Sequence, residues 1–146
     1  QMDGLEVYIH GYETEFQYKL NKLIDLEGSF SATRGENLTD NSPLYYVPPD
    51  KILLSTEVYL SPFSINLMHK KVFSQDRVGL YEETTPGYET YNLIGTYTIR
   101  STQAIHKFIL QIDNIFDRKY YNHLSRIKSI MPEKGRNIGF QYRLNF

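Results

Sequence analysis

An all-β fold is what this sequence predicts: an antiparallel up-and-down meander of about seven strands, one face toward lipid and one toward water. Three observations carry it. Apolar and polar residues alternate with period two in segment after segment, and helical periodicity is scarce. The chain also ends on such a segment, with Ile138, Phe140, Tyr142, Leu144 and Phe146 on one face and Asn137, Gly139, Gln141, Arg143 and Asn145 on the other. A frayed terminal strand of a soluble sheet gains little from a closing aromatic. A strand between lipid and a wet lumen needs this alternation over roughly 9–11 residues. Finally, short and long connections alternate strictly, which in a meander puts every long loop at one end and every tight turn at the other. Greek-key sandwiches show no such regularity.

The elements follow in order. Leu5, Val7 and Ile9 alternate with Glu6, Tyr8 and His10, and a short connection lies near Asn21. Ile24, Leu26, Gly28, Phe30 and Ala32 form the apolar side of the next strand. A long link from Gly35 to Asp50, rich in Gly, Asn, Asp and Pro, leads to Ile52, Leu54, Thr56, Val58 and Leu60. Ser61-Pro62 is a tight turn. The segment from Phe63 to Phe73 is less clean, because Ile65 and Leu67 give way to His69 and Lys71. A second long link runs from Ser74 to Glu89. Leu93, Gly95, Tyr97 and Ile99 then alternate with polar neighbours, Arg100 to Ile105 is short, and Phe108, Leu110 and Ile112 form the penultimate strand. The longest link, Asn114 to Arg136, precedes the terminal strand. Ser31 to Asn41 and Tyr81 to Gly87 are polar enough to be loop tips. One lipid band serves all strands, so Ile138, Phe140, Tyr142 and Leu144 should share a face with Leu93, Tyr97, Phe108 and Leu110.

Composition bounds the function. The chain has 146 residues, the size of one domain, and a formal net charge of -1, so it carries no basic footprint for nucleic acid. Hydrophobic residues make up 40%, yet no run approaches the ~18 apolar residues of a membrane helix. The aromatics are 13 Tyr and 8 Phe with no Trp, which favours β structure and suits a bilayer interface. Cysteine is absent, which excludes disulfides and Cys-based zinc or nucleophile chemistry. The opening Gln-Met-Asp-Gly-Leu-Glu has no signal-peptide character, so an exported protein is expected here as a mature product or a piece of a longer chain. On the polar face, Glu6, Asp25, Glu27, Glu57, Asn92, Lys107, Asp113, Gln141 and Arg143 are costly in a sandwich core and cheap against water. A soluble β-sheet module binding carbohydrate or another ligand through exposed tyrosines is the alternative left open by the same alternation.

The run from Phe108 through Asn114-Ile-Phe-Asp-Arg-Lys-Tyr-Tyr-Asn-His123, then Pro132-Glu-Lys-Gly-Arg136 and the terminal Phe strand, resembles the C-terminal part of the β-barrel of a TonB-dependent outer-membrane receptor. The match lies at Asn114, Phe116, Asp117, Lys119, Tyr120, Pro132, Gly135, Arg136 and Phe146. Ile115 replaces the commoner Leu, and Lys134 stands where Pro is frequent. Gly4-Leu-Glu and Pro48-Pro49-Asp-Lys51 also resemble the family. The resemblance implies a segment of a transmembrane β-barrel of roughly 22 strands, with the plug domain and earlier strands absent from 1–146. It further implies TonB-energised uptake of a scarce nutrient, such as an iron chelate or siderophore, across the bacterial outer membrane. The implied partners are outer-membrane lipid, the TonB complex through the missing plug, the insertion machinery and an unnamed small ligand. The terminal residues Phe140, Tyr142, Leu144 and Phe146 resemble the assembly signal read by that machinery. A fragment on its own is also expected to self-associate through its open edges.

Chemistry is sparse. His10, His69, His106 and His123 lie far apart, without zinc-protease spacing, and no nucleophile elbow, metal set or cofactor motif is present. Asp113, Asp117 and Arg118 read as strand-end architecture rather than catalysis, with Gly135 free to take positive φ in the return. Glu82 and Glu83 form an acidic pair without a partner in the sequence. In the longest loop, Tyr120, Tyr121, His123, Arg126 and Lys128 supply aromatic and cationic groups suited to an anionic chelate. The plainer reading of those residues is a solvated loop.

Overall fold

A computed structural model describes residues 6–146. Eight strands form one antiparallel sheet: β1 (Val7–Lys19), β2 (Ile24–Asn37), β3 (Ser42–Pro43), β4 (Lys51–Leu60), β5 (Phe63–Val72), β6 (Tyr88–Arg100), β7 (Ile105–Asp113) and β8 (Asn137–Asn145). The spatial order is β1-β2-β4-β5-β6-β7-β8, with β3 paired to β2 beside that path. Every pairing is antiparallel. The long strands therefore meander as the alternation predicts, and β3 is a two-residue addition folded back on the end of β2. Loops 38–50, 73–87 and 114–136 share one end, and the tight turns share the other. Local hydrogen bonds close those turns: Asn21 Oδ1 accepts from Leu23 N at 2.7 Å, and Ser101 Oγ accepts from Ala104 N at 3.0 Å.

Register shows which side chains share a face, because directly paired residues point the same way. Ile138 pairs with Ile112 and Phe140 with Leu110, while Tyr142 pairs with Phe108 and on to Tyr97. Leu93, Leu67 and Thr56 continue that face into Leu26. The expected shared band is thus present. It is also uncovered: Ile138 is 64% and Phe140 70% exposed, and buried apolar residues among those described are few. Among the described residues the sheet is a single layer without an opposing layer to close a core.

Two expectations are corrected. The first strand runs to Lys19, more than twice its expected length, and its apolar parity is inverted. Val7 pairs with Asn37 and Ile9 with Gly35, on the polar face, whereas Tyr12, Phe16 and Tyr18 pair with Ala32, Gly28 and Leu26 on the apolar one. Leu5 lies outside the described residues, and Glu6 precedes the strand. The second correction concerns Ser31–Asn37, expected as a loop tip. It continues β2, because Glu13 to Val7 lie alongside as an antiparallel partner.

At the loop end the apolar face turns ionic, which accounts for the irregular pattern of β5. Lys71 Nζ meets Glu89 Oε1 at 3.0 Å, and Arg34 grips Asp50 with bonds of 2.5 and 2.7 Å. At the turn end the same face is aromatic. Phe63 stacks on Tyr97 with centroids 4.6 Å apart, Phe108 tilts on Tyr142 at 5.0 Å, and His106 Nδ1 lies 2.8 Å from the Tyr142 hydroxyl. Amphipathic rings suit a membrane–water boundary.

Gly28 is needed for space. A Cβ there would collide with the Phe16 ring and stand 3.0 Å from Leu54 Cδ2. Gly28→Val is expected to expel Phe16 from its cross-strand seat and destabilise the β1–β2 pairing by about 1–3 kcal/mol. A urea titration of G28V, set against G28V with Phe16→Ala, checks this; rescue by the second change confirms the clash.

Candidate functional site

The long loops are fixed from their roots upward. Asn114 ends β7 with φ of 50° and is buried. Its backbone N donates to Asn92 Oδ1 at 2.9 Å, its amide donates to Arg118 O at 2.9 Å, and its Oδ1 accepts from Arg118 N at 2.9 Å. Asn tolerates the left-handed region and can bond the backbone locally, so one residue both stops the strand and turns the chain. Asp117, with φ of 53°, accepts from Arg136 N at 2.7 Å and ties the start of the loop to its return. No described glycine has positive φ, so Gly135 is not the left-handed residue expected. Its role is spatial: a Cβ would sit 2.6 Å from Asp117 Oδ1. Gly135→Ala should therefore break the Asp117–Arg136 tie and cost about 1–2 kcal/mol, measured as faster hydrogen exchange at residues 114–136 with β1–β6 unchanged.

Above these roots the loops meet in a buried polar node. Glu82, on the second loop, accepts from Tyr46 N of the first loop at 3.2 Å and from Gly79 N at 3.4 Å. It meets Lys128 Nζ of the third loop at 3.1 Å. His123, 2% exposed, places Nδ1 2.9 Å from Thr85 Oγ1 and 3.2 Å from Lys128 Nζ. An ammonium only donates, so Nδ1 is an acceptor and the imidazole proton belongs on Nε2. Nε2 approaches Glu82 Oε1 to 3.1 Å but is off the hydrogen-bond direction, so that contact is electrostatic. Thr85 is itself bridged to Gln75 through paired backbone bonds of 3.0 and 3.2 Å, and Gln75 Nε2 donates to Val47 O of the first loop at 2.9 Å. Three segments far apart in sequence are thereby cross-tied.

The node sets its own charge states. Burial and the neighbouring Lys128 ammonium push the His123 imidazole below its ordinary 6.5, against the pull of Glu82. Burial alone would raise the Glu82 carboxyl, but Lys128 and the N–H groups of Tyr46 and Gly79 outweigh it and hold Glu82 below the usual carboxylate range. At neutral pH the node therefore holds one neutral imidazole, one carboxylate and one ammonium.

The loop residues singled out by sequence divide accordingly. His123 and Lys128 face inward and are engaged by protein groups. Tyr120 stacks on Tyr88 with centroids 4.2 Å apart, and burial raises its phenol. Tyr121 lies under Lys119 at 5.8 Å, and Arg126 is exposed. Arg126 and Lys128 join Tyr45, Tyr46, Tyr81 and Glu82 around an outward recess of about 270 Å³. On the polar side beneath the loops, a recess of about 390 Å³ lies among Glu13, Lys51, Lys70, Tyr88, Asn122 and His123. Tyr45, Tyr46, Gln75 and Thr85 had no signal in the sequence, since only the folded loops bring them together. Glu82, without a partner in the sequence, proves to be the hub. Among the described residues no group of three His, Cys, Asp or Glu converges.

No protein-family model matches the chain. Among solved structures, that of the copper transporter OprC is similar, with a TM-score of 0.84 and 21% identity. The similarity covers 94% of this chain and 23% of the OprC chain, so the sheet has the fold of a part of a much longer protein.

Proposed function

We propose that this chain is the C-terminal wall of an outer-membrane transport barrel, a receptor energised through TonB that takes up a scarce nutrient. The observation that carries the reading is the single-layer sheet. Among the described residues its apolar face has no protein to cover it, its polar-face charges join none of the ion pairs, and its long loops gather at one end. Lipid is the medium that satisfies the first, and a lumen satisfies the second. Strands β1 and β8 leave backbone edges open, which further strands of the barrel would pair. A soluble carbohydrate-binding module is the weaker reading, because such a module needs a second layer over Ile138, Phe140 and Leu110.

For cargo, the outward recess offers Arg126 and the rings of Tyr45, Tyr46 and Tyr81, which suit an anionic, ring-bearing chelate. An iron siderophore is one such compound, and copper is the cargo that the name of OprC carries. Arg126 is the residue of the sequence-derived set free to meet it, with His123 and Lys128 acting as support beneath.

Deleting Phe146 should reduce the heat-modifiable folded form in the outer membrane and leave cargo binding per folded molecule unchanged. Replacing Tyr81 and Arg126 by Ala should do the reverse. Normal insertion without Phe146 removes the assembly role, and unchanged binding in the double variant returns the recess to plain solvated surface.

A further inference from the structure

We infer that the recess beneath the loops, on the polar side of the sheet, binds a small oxyanion whose carboxylate or phosphate group lies between the ammonium groups of Lys51 and Lys70. The site rests on the recess alone; the barrel reading adds only that it faces the lumen. It is separate from the outward recess. His123 lines the inner one, whereas Glu82 and Lys128, which it meets at 3.1 and 3.2 Å, line the outer one. A single layer of side chains divides them.

Register brings the two lysines together. Lys51 pairs with Val72 and Leu53 with Lys70, so the lysines are diagonal neighbours on the polar face, about 7–8 Å apart. An aromatic floor holds Lys70, whose Nζ stands 5.6 Å from the centroid of the Tyr88 ring. Tyr88 is itself buried and stacked on Tyr120. Both lysines are half-buried, and among the described residues neither joins an ion pair. Carboxylates border them without contact. Glu13 is two strands from Lys51 with Ser31 between them, about 10 Å away, and Asp113 and Glu133 line a neighbouring recess that Lys70 also borders.

Two ammonium groups drawn together and partly stripped of water repel each other and lose hydration. An oxyanion between them offsets both costs through charge-assisted hydrogen bonds. The hydroxyls of Ser31 and Thr33 line the same recess and supply further donors. A volume of about 390 Å³ admits a small molecule. With Glu13 on the far wall, the molecule that fits best carries hydroxyl or amine donors at its other end.

The test is calorimetric titration of the complete chain that carries this segment, in detergent at low ionic strength, with inorganic phosphate and with malonate. Saturable binding is expected, and the tighter probe tells which of the two groups the site takes. Lys51→Met and Lys70→Met should each weaken it at least about tenfold, and Lys70→Arg, which keeps the charge, less than about threefold. Glu13→Gln removes a repelling carboxylate and should tighten binding about threefold. That position is exposed, so the variant keeps the test decisive if a lysine variant fails to fold. Arg126→Ala, in the outward recess, should change nothing. Absence of saturable binding, binding that survives loss of both lysines, unchanged binding in Glu13→Gln, or binding lost with Arg126 overturns the inference. A complete chain that dissolves without detergent yet binds through Lys51 and Lys70 refutes the barrel reading and leaves the inference standing.

Discussion

Leu110→Arg should cost the inserted barrel about 2–4 kcal/mol, whereas Ile109→Arg, one residue earlier, should cost about 0–1 kcal/mol. The two side chains occupy opposite faces of β7. Leu110 pairs with Gly95 and Phe140 on the apolar face, and Ile109 pairs with Thr96 and Gln141 on the polar one. Arginine on the apolar face must strip its hydration or drag water into hydrocarbon, while on the polar face it joins a wetted wall. Urea titrations of the two variants in lipid vesicles, followed by heat-modifiable mobility, give the comparison. Equal destabilisation would mean that the faces are not lipid and water.

The second large effect concerns the loop node. Glu82→Leu leaves the largely buried Lys128 ammonium without its carboxylate and the Tyr46 and Gly79 N–H groups without their shared acceptor. Breaking a buried pair in this way costs about 3–5 kcal/mol locally. Because the node spans all three loops, hydrogen exchange should accelerate together at 38–50, 73–87 and 114–136, while the strands stay protected. Acceleration confined to the second loop would show that the loops are independent.

Acid should mimic that substitution in wild type. The folded His123 is held below its unfolded pKa, so its contribution is fully present above about pH 6.5 and falls away as pH drops through the folded value. Protonation puts an imidazolium 3.2 Å from the Lys128 ammonium and removes the Nδ1 acceptor. Glu82, also depressed, loses its contribution in the same direction at lower pH. Loop exchange should therefore rise in two steps on acidification, and His123→Gln should abolish the first.

The meander and its facing were legible because alternation is a property of each strand alone. Leu93, Tyr97, Phe108 and Phe140 announce their face locally. β1 was misread for a physical reason: the strand leaves the apolar band, and beyond the band parity has no hydrophobic cost. Val7 and Ile9 are therefore apolar on the wrong face. Ser31–Asn37 was misread because its polarity goes with a strand that continues past the apolar band, paired with Glu13–Val7, rather than with a loop. The node was invisible for a different reason. Glu82, His123, Thr85 and Lys128 have meaning only through contacts between loops, and nothing in their spacing encodes those. The left-handed residues at the foot of the third loop were half legible: Asn114 and Asp117 are types that tolerate positive φ, but glycine was the obvious suspect.

The β1–β2 hairpin, with strands of 13 and 14 residues, stands taller than the 9-residue strands β7 and β8. At about 3.4 Å per residue and a tilt of about 40°, the tall side rises about 34 Å and the low side about 23 Å, against an apolar band of about 25 Å. If the sheet is a barrel wall as proposed, its lipid annulus meets different heights around one protein. On the barrel reading, His10 and Arg34, paired on the lipid side of β1–β2, stand at headgroup level; Asp50 already neutralises Arg34, so the outer leaflet need only thicken to cover the taller strands. Beside β7–β8 there is no such demand. On that reading, leaflet elasticity distinguishes one azimuth of the barrel from another.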